Sequence, residues 1–579
     1  MNRILLGFAL CSVSFISNAQ IRFENTAVSR GVDFSCGAPF LGGGVSFFDF
    51  NDDGFDDLSF ATESGAELAF FQNIDGLGFV TINLNLRDTD NNLIDFQAKQ
   101  INWVDIDNDG DKDLFVTSDE AGNKLFKNTG NLIFEDITVT AGFPTTDLNS
   151  FGASWGDYNN DGFLDVFISS RDPMVSSFTP NYLYKNNGDS TFTDVSVEAG
   201  IDRSKHVSFC SAWIDINNDG FQDLYISNDK RAEEFHKNQL YKNNGDGTFT
   251  DISASSGTDL LIDAMTVTVG DYNRDGFFDI YVTNAGECVL LKNNGDETFT
   301  DVAPSTGTDL VSFTWGAIFL DGDNDADLDL YVSSSLFQSS FPSAAFFEND
   351  GNSNFSIPTM AGFDNDEGRS HSNATGDLNN DGLTDFVVTN TDDQDIVLWE
   401  NKNTENNNWL KVKLQGTTSN RDGIGSVIEI SSNGQQQYHY TNCGEGYLGQ
   451  NSATETFGIG NATLIDYVKV TWLSGLVETY RDINPNQTLF LIEGNTLSLN
   501  ETAVLDFTLH PNPVTDILKL KSKVYIEFVK LYESTGKIIK HFKVNSYEKH
   551  IDVSLYQSGI YFLEAMTSSG PITQRFLKH

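Results

Sequence analysis

Basic residues are scarce in this chain: 35 Lys+Arg stand against 83 Asp+Glu, a formal charge of −48 with a pI near 4.2. Unassisted binding to phosphate backbones or anionic lipid is unfavourable at that charge, so nucleic acid drops out as a partner. Cysteine is equally sparse, five in 579 residues. Cys36, Cys210, Cys288 and Cys443 show no metal-ligand spacing and no pattern that dictates pairing, so isolated thiols and one or two bridges both remain open. The eight histidines never cluster, and the sequence holds no GxSxG elbow, HExxH helix or phosphate-cradling glycine loop. The common signatures of nucleophilic, zinc and phosphoryl chemistry are therefore missing. After the first twenty residues no stretch approaches the about 18 apolar residues of a membrane helix. Core material, in contrast, is ample: 39% hydrophobic residues, 46 of the total being Phe, exclude the disorder that so acidic a chain would otherwise suggest. At 64.0 kDa the chain also exceeds one ordinary core, leaving several domains or a repeat architecture with appendages.

Residues 1–19 read as a secretory signal peptide: Arg3, an apolar run from Ile4 to Ile16, then small Ser17 and Ala19 ahead of cleavage before Gln20. Cys11 lies mid-run behind bulky Leu10, against the small residue a lipoprotein anchor wants. The mature chain is expected to be soluble outside the cytoplasm.

The acid is concentrated in a nine-residue pattern, Dx[DN]xDGxxD, starting at Asp49, Asp105, Asp157, Asp215, Asp271, Asp321 and Asp377. Intervals of 56, 52, 58, 56, 50 and 56 residues mark a repeat architecture of seven units. A second signature trails most copies, as in LYKNNGDSTFTDVS from Leu183 and LYKNNGDGTFTDIS from Leu240; it is degraded in FFENDGNSNFS from Phe346. Between the signatures lie short alternating runs such as LDVFISS (Leu164 to Ser170), bounded by Gly/Asn/Asp clusters, which predict strands. Four strands per unit, repeated seven times, predict an all-β chain whose residues 20–403 form a seven-bladed β-propeller, because radial repetition protects the sheet edges. The last unit ends at LWENKN (Leu398 to Asn403) without its FTDVS strand, whereas the mature N-terminus reads IRFENTAVSRGV. The N-terminal segment is thus expected to complete the seventh blade and close the ring.

Spacing indicates what the repeated acids do. Side-chain oxygens at positions one, three, five and nine, a backbone carbonyl at seven and glycine at six supply the hard, multi-oxygen shell that calcium prefers; magnesium would retain more water. The candidate ligands are Asp49, Asn51, Asp53 and Asp57; Asp105, Asp107, Asp109 and Asp113; Asp157, Asn159, Asp161 and Asp165; Asp215, Asn217, Asp219 and Asp223; Asp271, Asn273, Asp275 and Asp279; Asp321, Asp323, Asp325 and Asp329; and Asp377, Asn379, Asp381 and Asp385. Up to seven calcium sites follow. An EF-hand is excluded, since its bidentate Glu at position twelve is Val116 in the second loop and the flanks read as strands. Asp-Asn-Gly clusters are also ordinary turn chemistry, but seven in phase point beyond turns.

The stretch SFGASWGDYNNDGFLDVFIS from Ser150 resembles the FG-GAP or VCBS repeats of integrin-α-type propellers, with Phe151-Gly152 ahead of the loop at Asp157. The resemblance implies calcium in the hairpin between the first two strands of a blade and an opposite face open to ligand. Copy six departs from it, with Ala326 in the glycine position, and copies one and seven lack parts of the trailing signature.

Residues 409–493 change texture to a compact β-rich module. SNRDGIGS (Ser419 to Ser426), FGIG (Phe457 to Gly460) and TWLSG (Thr471 to Gly475) resemble the ASPIC/UnbV domain that follows such propellers, a resemblance that names no activity. Arg421 and Asp422 in it read as a solvated turn. A linker over 494–506 leads to residues 507–579, a β-sandwich-like module that shifts sign: from Pro511 onward ten Lys+Arg face six acids. LHPNPVTDILKL, LYESTGKIIK, SGIYFLEA and a basic end at Arg575 and Lys578 resemble the C-terminal sorting domain of type IX secretion substrates; a carbohydrate-binding β-domain is the alternative. The resemblance implies the type IX machinery as partner and export through the periplasm to the outside or outer-membrane surface of a Bacteroidetes-type bacterium. The sequence therefore reads as a calcium-binding adhesion module for an extracellular glycan or protein, with no catalytic residue assigned. The rival is a secreted polysaccharide-active hydrolase or lyase, marked by an acid or histidine outside the nine-residue loops, facing the central channel beside Tyr or Trp.

Overall fold

A computed structural model describes residues 21–171, 180–204, 207–230, 236–335, 344–359, 361–363, 366–404, 407–495, 507–533, 538–557, 559–567 and 570–578. The expected signal peptide, and all of the expected linker but Gly494 and Asn495, lie outside them. The chain forms two compact units, Met1–Thr496 and Leu497–His579.

In the first unit, seven strands are innermost: Val45–Phe48, Ala98–Val104, Ser150–Gly156, Ser208–Ile214, Ala264–Gly270, Val311–Leu320 and Ser370–Gly376. They neighbour one another in a closed cycle, the last against the first. Each starts an antiparallel four-stranded sheet running outward, so the architecture is that of a β-propeller. Sheets five and six are joined, because Asp279–Glu287 extends far enough to pair Ala285–Glu287 with Val311–Phe313. The inner strands are buried on both faces, as SFGASWG is throughout. Glycine permits their close approach: a Cβ on Gly152 would lie 2.7 Å from the Phe209 carbonyl oxygen, and one on Gly316 2.6 Å from that of His371.

The N-terminal strand closes the ring. Phe23–Asn25 pairs antiparallel with Val397–Asn401 as the outer strand of the seventh sheet, and Phe23 packs against Phe346, Phe363 and Phe386.

A recurring asparagine fastens six of the seven sheets to a neighbour. In unit four, Asn243 of the trailing signature donates its backbone N–H to Asp223 Oδ1 at 2.7 Å and its side-chain amide to the Tyr158 carbonyl of unit three at 2.8 Å. Asn73, Asn186, Asn293, Asn349 and Asn401 repeat both bonds. Each such bond satisfies a buried amide and ties two sheets that share no ladder.

The second module, within the same compact unit, has two sheets, one of Trp409–Gln415, Thr454–Gly458 and Thr488–Ile492, the other of Val427–Ser432, Gln435–Tyr440, Ile465–Thr471 and Val477–Ile483. Leu410, Val412, Ile428, Phe457, Val468 and Trp472 form its core. Its segment 441–453 threads the middle of the ring. Gly449–Gln450 adds in parallel to Val45–Ser46, Cys443 bridges to Trp155, and Gln450 Oε1 accepts the Trp103 N–H at 2.8 Å. Tyr447 packs on Phe209 and Trp315 and donates to the Leu41 carbonyl at 2.7 Å. Around it stand residues that precede their loops by the same spacing: Lys99, Phe151, Phe209, Met265, Trp315 and His371.

The C-terminal unit is one five-stranded sheet in which Ile517–Glu533 pairs with Phe507–His510, Ile538–Asp552 and Gly559–Thr567, and the last of these with Gly570–Lys578. Leu518, Leu520, Val529, Leu531, Leu563 and Phe576 are its core. Among the described residues Cys36, Cys210, Cys288 and Cys443 are all free and buried, so neither bridge left open by their spacing forms.

Two outcomes follow. Deleting residues 21–34 removes the outer strand of the seventh sheet and exposes a bare edge; size-exclusion chromatography should show self-association and calorimetry a lower Tm, and a monomer with unchanged melting contradicts this closure. Burial against Trp315 pushes His371 down to about 4 from 6.5. The neutral ring is the stable form, so its contribution is full above pH 6.5 and about 3 kcal/mol is lost as pH falls towards 4. Urea unfolding across that window should give a stability-against-pH slope more positive by that amount in the native chain than in His371→Asn, the aspartates contributing alike to both; identical slopes contradict it.

Candidate metal loops and the module that covers them

The nine-residue patterns form the hairpin turns between the first and second strands of each sheet, as loops one to seven. Loop three shows the construction. Asp157 accepts the Asp161 N–H at 2.9 Å on Oδ1 and the Gly162 N–H at 2.8 Å on Oδ2; Asn159 Oδ1 accepts the Asp161 N–H at 2.9 Å, and Asp161 Oδ1 that of Phe163 at 3.2 Å. These bonds turn the side-chain oxygens of positions one, three and five to one side of the loop. The same turn holds Asp49, Asn51 and Asp53 in loop one, Asp215, Asn217 and Asp219 in loop four, Asp271, Asn273 and Asp275 in loop five, and Asp377, Asn379 and Asp381 in loop seven. In loops two and six, Asp105, Asp107 and Asp109, and Asp321, Asp323 and Asp325, each bring three carboxylates whose oxygens lie within 4.8 Å of one another. Position six needs a left-handed backbone, φ 88° at Gly162, and Ala326 adopts it at 86° despite its Cβ.

Position nine is buried: Asp57, Asp113, Asp165, Asp223, Asp279, Asp329 and Asp385 accept the asparagine bonds described above or, for Asp113, that of Asn128 at 2.8 Å. Loss of water around them raises their affinity for protons. Burial pushes Asp57 up to about 9 and Asp113 to about 8, and Asp165, Asp223, Asp279, Asp329 and Asp385 well above the carboxylate range. At position one it raises Asp105 and Asp157 to about 7 and Asp271 to about 6, while Asp321 stands well above its usual range from burial and then from Asp325 and Asp323. Asp57 and Asp165 each leave Oδ2 buried without a hydrogen-bond partner. An all-oxygen donor set with orphaned carboxylate oxygens fits a hard divalent cation, and calcium in particular.

Neighbouring loops are linked through position four. Asn108, Asn160, Asn218, Asn324 and Asn380 donate to the position-six carbonyl of the next loop at 2.8–3.0 Å, and Arg274 replaces asparagine in loop five by reaching the Ala326 carbonyl at 3.0 Å. Loop one has Asp52 there, a side chain with no donor when ionised. At that place the second module enters. Lys413 Nζ lies 3.0 Å from Asp52 Oδ1 and 3.4 Å from Asp49 Oδ2, and the Arg421 N–H donates to Asn108 Oδ1 at 2.8 Å. Arg421 Nε stands 3.7 Å from Asp105 Oδ2 and Asp422 pairs with Lys112. The solvated-turn reading of Arg421 and Asp422 is thus overturned: both are held against loop two. Elsewhere Tyr440 accepts from Gln222 at 3.1 Å, Gly460 N–H donates to the Asn324 carbonyl at 2.8 Å, and Lys411 reaches Asp377 at 2.9 Å. The module therefore covers the loop face.

Sequence reasoning missed this docking and the segment in the channel. It also missed a cavity between module and ring, lined by Asp56, Lys411, Tyr438, His439, Glu445 and Glu455 among others. His439 Nδ1 lies 2.9 Å from Glu455 Oε2, and burial followed by the charge of Glu455 lifts Glu445 to about 7. The alternation of QQQYHY around His439 marks a strand and gives no signal of the cavity.

The FG-GAP-like repeat model matches residues 105–168, 215–282 and 271–332, the ASPIC and UnbV model residues 416–498, and the secretion system C-terminal sorting domain model residues 508–579. Cartilage acidic protein 1 of Mus musculus is 26% identical over 291 residues, 45% of this chain and 43% of that protein; the Homo sapiens protein is 26% identical over 172 residues, 30% and 24%. The chain thus spans less than half the length of these curated relatives. A solved Agrocybe aegerita lectin, described as recognising non-reducing terminal N-acetylglucosamine, is 17% identical with a TM-score of 0.35, over 59% of this chain and 83% of its own, too low a score to bear on ligand. The chain carries FG-GAP-like repeats, an ASPIC and UnbV domain and a type IX secretion sorting domain, the make-up of a secreted or cell-surface β-propeller protein of Bacteroidetes type.

Proposed function

We propose that the protein is a calcium-binding adhesion module that holds an extracellular glycan or protein without turning it over. The observation that carries this reading is the division of the ring. Among the described residues, the groups of three carboxylates close enough to share an ion lie in these loops, the second module lies over them, and segment 441–453 threads the channel. The face opposite the loops is then the one offered to a ligand. Calcium ties the loops by neutralising carboxylates that otherwise repel one another at close range, linking metal binding to folding.

A second reading rests on the cavity that holds His439, Glu445 and Glu455 beside Tyr438 and Tyr440. These are acids and a histidine outside the loops and next to tyrosines, the arrangement the polysaccharide-active hydrolase or lyase needs.

Three experiments test the reading. Calorimetry of the mature chain should give a Tm several degrees lower in EDTA than in calcium, and immobilised polysaccharide and protein pools should retain the chain without release of fragments. An EDTA-insensitive Tm contradicts calcium, and cleavage abolished by Glu445→Gln gives the function to the second reading. Removing Phe507–His579 should leave a folded chain in the periplasm while the full chain reaches the surface or medium; equal export in cell fractions contradicts the sorting role.

A further inference from the structure

The loops differ in the charge that already surrounds them. Loop six carries five aspartates, Asp321, Asp323, Asp325, Asp327 and Asp329, and its trailing signature has Glu348 where units two to five have Lys127, Lys185, Lys242 and Lys292. Arg274 of loop five reaches it, donating to the Ala326 carbonyl at 3.0 Å, and the second module meets it with backbone and amide groups. The module lays Gly458 so near that an added Cβ would stand 2.1 Å from Asp321 Oδ2, and the Asn407 amide donates to the Asp323 carbonyl at 2.9 Å.

Loop seven is the converse. Lys411 Nζ donates to Asp377 Oδ2 at 2.9 Å and to Asn380 Oδ1 at 2.7 Å. The side chains of Lys411 and Asp377 are only 5% and 2% exposed, so this is a buried ion pair and not a surface one. Leu410 and Val412 anchor the strand in the module core, which fixes the ammonium where it stands. Asp56 also faces the pair and accepts the Asp377 N–H at 3.2 Å, and Asp381 and Asp385 of the loop itself act on Asp377. A divalent ion on Asp377 would put a second positive centre within a few ångströms of Lys411.

We propose that Lys411 is the resident cation of loop seven. The second module thereby supplies to loop seven, as a buried side chain, what loop six takes from solution, and loop seven is not a calcium site while loop six is one. The proposal rests on the calcium reading above and refines it, and it makes docking of the module and charge compensation of the ring a single event.

Counting bound calcium in the secreted form, by equilibrium dialysis and elemental analysis at neutral pH, tests it. Asp381→Asn should leave the count unchanged, because loop seven holds no calcium to lose, whereas Asp325→Asn should lose one equivalent. Lys411→Met, which keeps the apolar stem, should gain one, and loop seven of the native chain should bind at least about 100-fold more weakly than loop six. Near-ultraviolet circular dichroism confirms that each variant is folded; should Lys411→Met not fold, the Asp381→Asn count decides alone. An equivalent lost in Asp381→Asn, or none gained in folded Lys411→Met, overturns the proposal. A native chain that binds no calcium overturns the calcium reading instead, so the two failures are distinguishable.

Discussion

The buried carboxylate at the ninth loop position is the constraint on which the rest depends. Asp223, like its equivalents, sits at the foot of an inner hairpin with almost no water, and it is tolerable there because Asn243 donates a backbone N–H to it. The same asparagine spends its side-chain amide on the preceding sheet. One residue thus satisfies a buried carboxyl group and sets the spacing between two sheets, which is why KNN and the nine-residue loop recur in phase. Removing either partner would leave a buried polar group unsatisfied, at a cost of about 1–3 kcal/mol.

Charge at the other loop positions then organises the second module. Position-four asparagines tie successive loops together, but Asp52 cannot donate, and the tie fails between loops one and two. Lys413 and Arg421 stand at that interruption, and Lys411 stands one loop away. The module is accordingly part of the ring's electrostatics, and its segment 441–453 is part of the ring's core through Tyr447 and Gln450. A propeller that covers its loop face and threads its channel from within the chain leaves the opposite face for recognition on the proposed adhesion reading.

Much of this was legible in the sequence because it repeats. Seven loops at a near-constant period carried the sheet order and the turn geometry, and the unfinished last unit foretold the role of Phe23–Asn25. The docking was not legible, since it depends on residues that occur once. In WLKVKLQ, Leu410, Val412 and Leu414 alternate with Lys411 and Lys413, the ordinary pattern of a strand with one wet face; only the tertiary structure turns that face onto aspartates. Arg421-Asp422 looked like a turn for the same reason. The segment GYLGQN has no periodicity to separate a channel strand from a surface loop, and Gly449–Gln450 pairs over two residues alone.

Anomalous diffraction from crystals of the secreted form grown in calcium, recorded at a wavelength where calcium scatters anomalously, tests the central claim most directly: the loop carboxylates are cation sites, filled by metal or by the chain's own lysine. The account predicts a strong peak enclosed by Asp321, Asp323 and Asp325 and none beside Asp377, where the Lys411 ammonium should be seen. A map without peaks at any loop, or one with equal peaks in loops six and seven, would contradict it.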